Sequence, residues 1–195
     1  MEITAEILKE IAPGGKQTNF KLFPLLADWM NYYFSRNGID TNSEYCHFIA
    51  QAAHETNSFN TLTEYASGAA YEGRRDLGNI NPGDGVKYKG RGVFQVTGLI
   101  NYHRMDLALN DPGISFELQP ELLALPQYAV WSACIYWNDH HFSDFAVIPD
   151  TPTIFSKTLK HYLTPLEYLS WRINGSLKTV PERKIFYDRC RQIFK

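Results

Sequence analysis

The sequence predicts a single, mainly α-helical domain whose functional site is assembled from loops. Three observations lead there. Apolar residues recur at three- and four-residue spacing in most segments on either side of residues 56–92, the pattern of helices that each bury one stripe. Within 56–92 that periodicity stops, and glycine recurs at positions 68, 73, 78, 83, 85, 90 and 92. Long ordered loops inside compact domains generally serve function. Finally, 195 residues with 44% apolar and 21% charged content suit one core of useful size, and no repeat, low-complexity stretch or linker divides residues 1–195.

The elements follow in order. Ile3, Ile7, Leu8 and Ile11 predict a first helix, stopped by Pro13-Gly14-Gly15. Residues 19–36 predict a second, with Phe20, Phe23, Leu26, Ala27, Met30 and Phe34 on one side and Asn37-Gly38 closing it. Pro24 fits only in the first turn of that helix, so either Asn19 caps it or it begins later. Ser43-Glu44 opens a third, from Tyr45 to Glu55, with Phe48, Ile49, Ala52 and Ala53 as its apolar body. Val93 to Thr97 alternates like a short strand or a turn. Residues 101–110 resume helix until Asp111-Pro112-Gly113, Pro120 opens another, and Pro126 starts a longer one through Trp137. Residues 138–155 read as loop, 156–174 as helix interrupted at Pro165, and 181–194 as a last helix with Ile185, Phe186, Cys190 and Ile193 inward.

Composition excludes several classes of function. A net charge of -2 gives no general attraction to nucleic acid or to anionic membranes, so neither is expected as a partner. No apolar run reaches the ~18 residues of a membrane span. Cys46, Cys134 and Cys190 lie far apart without CxxC spacing, which points to buried free thiols rather than a zinc site or a disulfide framework. The start, MEITAEILKEIAP, lacks the basic and apolar regions of a signal peptide, so synthesis in the cytoplasm is expected. Twelve Tyr, 12 Phe and 4 Trp serve the core first; tyrosines near Gly, Asn and Thr also suit a groove for a sugar polymer.

Chemistry-bearing residues concentrate in 46–102. Glu55 ends an apolar helix, where partial burial favours the protonated form that a general acid needs, and His54, Thr56, Asn57 and Ser58 make a polar cluster beside it. Glu64 follows nine residues later. On one continuous helix that offset would put the acids on opposite faces, ~13 Å apart in rise, so they share a cleft only if the helix ends at once and the chain turns back. Two carboxyls about 6.5–9.5 Å apart, with a water between them, form the inverting glycosidase arrangement. Glu72 and Asp76 are rival second acids, and Glu72 beside Arg74-Arg75 also reads as an ion-paired scaffold residue. His54-Glu55 is not HExxH, because position 58 is Ser, and Asp76 with Asp84 matches no EF-hand, so no metal and no cofactor is expected. Gly90-Arg91-Gly92 lacks the third glycine of a dinucleotide motif, and no GxSxG occurs. If Val93–Thr97 is extended, Gln95 and Thr97 share one side and Phe94 and Val96 the other. The same residues could equally cap and brace the turn at Gly98.

AHET, the acids of LTEYASGAAYEGRRDLGN, and above all GDGVKYKGRGVFQVTGLINY resemble glycoside hydrolase family 19, more closely its bacterial and phage lysozyme-like members, the endolysins and related cell-wall hydrolases. QPELLALPQYAVWSACIYW and RINGS with the later Glu182-Arg183 agree, and the resemblance covers roughly residues 45–190, with 1–44 as a helical N-terminal part of the same catalytic domain. It implies a lysozyme-like α-helical fold with a substrate cleft and inverting hydrolysis of β-1,4 bonds in peptidoglycan, with chitin as the alternative and a non-catalytic glycan-binding module as another class. By position it implies Glu55 as general acid and Glu64 as general base. Thr97 would hold the attacking water, Gln95, Asn101, Tyr102 and Asn174 would line the cleft, and Arg183 would support it, with Glu72 and His54 as further candidates. A monomer acting on a GlcNAc-containing wall polymer is expected, reaching the periplasm or exterior through holin-type release or a secretion machine. Two departures stand out. The long inter-acid insertion and the disulfides of plant chitinases are absent, and Ser176 replaces the second glycine of the usual INGG.

Overall fold

One helix, residues Asn42–Glu55, runs through the centre of the molecule, and the other elements are arranged around it. The structure is a computed structural model and describes residues 2–16 and 21–195; Asn19 and Phe20, expected at the start of the second helix, lie outside the described residues. In chain order the helices are α1 (Ala5–Ile11), α2 (Leu22–Phe34), α3 (Asn42–Glu55), α4 (Asp84–Lys87), α5 (Leu99–Leu109), α6 (Pro126–Asp139) and α7 (Phe142–Ala146). An antiparallel hairpin of β1 (Ile154–Ser156) and β2 (His161–Leu163) precedes α8 (Pro165–Asn174) and α9 (Val180–Ile193). Among the described residues no helix is long and apolar enough to cross a membrane.

The central helix starts at a capping box. Thr41 accepts from the Glu44 amide while the Glu44 carboxylate accepts from the Thr41 amide, so α3 begins slightly before the expected Ser43. Residues 46–53 are all buried, which is why the segment reads as apolar on every side rather than striped. The Phe48 ring meets those of Phe34 at 4.6 Å, Phe94 at 4.7 Å and Trp137 at 5.4 Å, joining α2, the 93–97 turn and α6 in one core. On its other side α3 packs chiefly on α9, and also on α7 and α8. A smaller core of Tyr88, Tyr102, Met105, Phe116, Leu123 and Trp131 lies beside α5.

Several expectations need correction. Residues 156–164 are not helical. Ser156 and Leu163 are buried while Phe155 and Tyr162 are exposed, a strand alternation too short to separate from a helical pattern by sequence. Pro165 does not interrupt a helix. It is the first residue of α8, behind a second capping box of Thr164 and Glu167. Pro120–Ala124 is a 3-10 turn, and residues 142–146, read as loop, form α7. In α9 Ile185 is 52% exposed, because the buried stripe is Arg183, Tyr187 and Cys190. The three cysteines are free and buried, as expected.

His47 on α3 is fully buried, its ring 4.5 Å from that of Tyr187, and neither ring nitrogen has a hydrogen-bond partner among the described residues. Burial, reinforced by the nearby Arg191 guanidinium, pushes its pKa down to about 3. An unfolded chain binds a proton there below about pH 6.5 that the folded chain refuses, so this contribution is complete above pH 6.5 and lost as pH falls toward 3. Urea unfolding at pH 7.0 and 4.5 should show stability falling by up to about 1.4 kcal/mol per pH unit from this residue. His47→Phe should flatten that slope, and an unchanged slope would refute the assignment.

Candidate active site

The chain reverses immediately after Glu55. Thr56 turns its hydroxyl back to the Ala52 carbonyl at 2.6 Å and accepts from the Phe59 amide at 3.0 Å. Asn57, Ser58 and Phe59 then all take positive φ, at 51°, 61° and 58°. Such a conformation costs a non-glycine residue roughly 1–2 kcal/mol. Here it is held by full burial of Phe59, whose ring packs edge-on against Phe23 at 5.7 Å. The returning segment lies against the Lys89–Gly92 run: the Glu64 amide donates to Gly90 O at 3.0 Å and the Gly92 amide to Leu62 O at 2.9 Å. The turn-back on which a shared cleft depends is therefore present.

It brings both acids into one cavity of about 320 Å³, lined by His54, Glu55, Asn57, Thr61, Glu64, Tyr65, Tyr71, Gln95 and Thr97. Gly90 marks how tightly the far wall is built. A Cβ there would stand 2.8 Å from Gln95 Oε1, 3.1 Å from Glu64 Oε2 and 3.3 Å from Thr97 Oγ1. Carboxylate, amide and hydroxyl thus converge over the bare backbone of Gly90.

Each acid has one oxygen tied to the protein. Glu55, 16% exposed, pairs through Oε1 with Arg183 Nη2 at 2.5 Å. The Arg183 side chain is wholly buried and donates from Nη1 to Gln51 Oε1 and from Nε to Thr179 Oγ1. Gln51 in turn donates to Ser170 on α8 at 3.0 Å. Burial alone therefore does not set the surroundings of Glu55; a cation that sequence pattern did not connect to it also does. Glu64 accepts from the Tyr71 hydroxyl at 2.9 Å on Oε2, while its Oε1 is buried with no donor among the described residues. Burial first, then the Glu64 carboxylate, raises the Tyr71 pKa, so that phenol stays a donor. His54 lies 3.7 Å from Glu182, with its pKa lowered by burial and by Arg183.

Over 125 residues the chain is 28% identical to a glycosyl hydrolase family 19 domain-containing protein of Haemophilus influenzae, a match covering 64% of this chain. The chain spans about half, 51%, of that relative's length. Chitinase C from Streptomyces griseus superposes with a TM-score of 0.61 at 20% identity, over 98% of this chain and 76% of that one. A bacterial family 19 chitinase superposes equally well at 19% identity, over 100% and 95%. No family model matches. The fold is that of the family 19 chitinases.

Within this family 19 fold the remaining candidates separate. Glu72 accepts the amides of Gly83 at 2.5 Å and Gly85 at 2.9 Å, so it braces the loop through backbone donors rather than an ion pair. Asp84 accepts from Ile80 and Asn81, and Asp76 is chelated by Arg74. None of the three lines the cavity of the two acids. Val93–Thr97 is a tight turn and not extended, with Gln95 at φ 55°; Gln95 and Thr97 nonetheless share the cavity. Thr97 donates to Gln95 O and Gln95 to Gly92 O, so the bracing reading of these residues holds alongside their place in the cavity wall. Asn101 donates to Thr97 O at 2.7 Å and lines an adjoining cavity of about 360 Å³, which shares Gln95 and Thr97 with the first.

Tyr102 does not reach the cleft. It is fully buried, donates to Lys89 O and accepts from Arg91 at 2.7 Å each, and so props the Gly90 turn from behind. Asn174 is exposed at the end of α8, outside the acid-lined cavity, and connects to it only through Thr179, which also meets Arg183. Sequence reasoning missed Tyr71, Tyr65, Thr61 and Gln51. No spacing rule marks a tyrosine seven residues beyond an acid, whereas Gln51 lies one helical turn before Glu55 and could have been found that way.

Arg183→Met should leave Gln51 and Glu55 without their buried donor and cost about 3 kcal/mol in chemical denaturation, with Arg183→Lys intermediate because it keeps the charge but not the fork. A Met variant as stable as the parent would show that the guanidinium does not hold the site.

Proposed function

We propose that this chain is a glycoside hydrolase that cleaves β-1,4 bonds of bacterial peptidoglycan by inverting acid/base catalysis, in an endolysin-like role. The observation that carries the reading is that Glu55 and Glu64 line one cavity together with Gln95 and Thr97, each acid with one oxygen tied and, for Glu64, the other buried without a partner among the described residues. Arg183 occupies Glu55 Oε1, so Oε2 is the oxygen that would carry the acid proton. Tyr71 occupies Glu64 Oε2, so Oε1 would take the proton of a water. The Thr97 hydroxyl lies in the same wall to orient that water.

In the proposed step the water oxygen attacks the anomeric carbon opposite the leaving group and the glycosidic C–O bond breaks. Glu55 gives its proton to the departing oxygen while Glu64 accepts one from the water, and exchange with solvent resets both. Peptidoglycan is supported by the short stretch between the acids and by the free cysteines, the two respects in which the chain departs from the plant chitinase pattern. Chitin is the second reading, favoured by the two solved structures being chitinases. The adjoining cavity extends the groove on the far side of Gln95 and Thr97, which suits a polymer more than a single sugar.

Glu55→Gln retains an oxygen for Arg183, so it should fold while losing about 10²–10⁴-fold in activity, and Glu64→Gln should fall comparably. The measurement is release of reducing ends from purified peptidoglycan and from chitohexaose, side by side. Full activity in either variant would sink the mechanism, and faster cleavage of chitohexaose would move the substrate to chitin. Gly90→Ala should keep its Tm within a few degrees yet lose activity, because its methyl displaces the ends of three flexible side chains rather than backbone. An Ala variant of normal activity would count against the convergence at Gly90.

A further inference from the structure

The β1–β2 hairpin lies outside both cavities of the groove, and its outward face is largely exposed. Ser156 and Leu163 turn inward, whereas Phe155 and Tyr162 are directly paired across the strands, 53% and 59% exposed, with ring centroids 5.2 Å apart. Single exposed aromatics are ordinary on protein surfaces. A cross-strand pair of them beside cations is a more specific arrangement. The turn between the strands carries Lys157 and Lys160, both exposed, and neither forms an ion pair among the described residues. This positive tip belongs to a chain whose net charge is -2.

Two ring faces beside two free ammonium groups fit a polymer with apolar ring faces and negative charges, which describes a sugar chain bearing carboxylates. The hairpin leads directly into α8, whose ninth residue, Ile173, lines the groove about 12 Å along the helix axis from Pro165. We propose that the outward face of this hairpin is a second, non-catalytic binding surface for carboxylate-bearing wall glycan, with Phe155 and Tyr162 against sugar faces and Lys157 and Lys160 on the carboxylates. The proposal rests on the peptidoglycan reading above.

The test uses full-length protein carrying Glu55→Gln, cosedimented with purified sacculi at low and moderate salt. Adding Phe155→Ser and Tyr162→Ser should weaken binding roughly tenfold. Adding Lys157→Gln and Lys160→Gln instead should remove the salt-sensitive part. With Glu55 restored, both surface variants should cleave soluble oligosaccharides at the parental rate with unchanged Tm. Sacculus binding undiminished by the aromatic substitutions overturns the proposal, as does a loss confined to vesicles of anionic lipid, which would make the face a membrane contact. Failure of the parent to cleave either polymer would count against the hydrolase reading instead, and the binding comparison would still decide the hairpin.

Discussion

The buried guanidinium of Arg183 is the constraint on which the site depends. It is fully enclosed on α9, yet its donors reach Gln51 and Glu55 on α3 and Thr179 ahead of its own helix, while Gln51 reaches Ser170 on α8. Removing a cation from water is costly unless several acceptors surround it, and these acceptors come from separate parts of the chain. The charge is therefore satisfied only when α3, α8 and α9 are mutually in place. The fold and the placement of Glu55 are one event, since the ion pair that completes the core also holds its Oε1.

The opposite wall solves a similar problem without a core. Residues 56–92 hold little regular structure, and their acids are engaged within the loop: Glu64 by Tyr71, Glu72 on two amides, Asp84 on two more, Asp76 on Arg74. Those bonds give an irregular backbone the internal partners that a helix would have supplied. Glu64 differs in keeping one buried oxygen without a donor among the described residues, a cost the surrounding loop bonds offset.

What could be read in the sequence follows from the range of the interactions involved. Helices α2, α3, α5, α6 and α9 were legible because their apolar residues repeat within a turn or two. The hairpin was not, because three-residue strands give too few alternations, and because Phe155 and Tyr162 break the rule that apolar side chains face inward. The stripe of α9 was misplaced at Ile185 because Arg183, a charged residue, occupies a core position. Tyr102 was assigned to the cleft from its motif, but a tyrosine that braces a turn and one that touches ligand look the same in a string of letters. The pairing of Glu55 with Arg183 spans 128 residues and has no local signature at all.

Glu64 shows where the two kinds of information meet. Its nine-residue offset from Glu55 made a shared cleft conditional on an abrupt reversal, and the residues at that reversal are Asn57, Ser58 and Phe59 rather than glycines. Asn tolerates positive φ locally, but a phenylalanine does so only under tertiary compulsion. Burial of Phe59 against Phe23 supplies that compulsion, so a core contact between α2 and the 57–59 turn returns the chain that carries Glu64 to the cavity lined by Glu55. The short stretch between the acids is therefore not a trimmed loop that happens to leave Glu64 nearby. It is a turn of three non-glycine residues at positive φ, anchored in the core through Phe59.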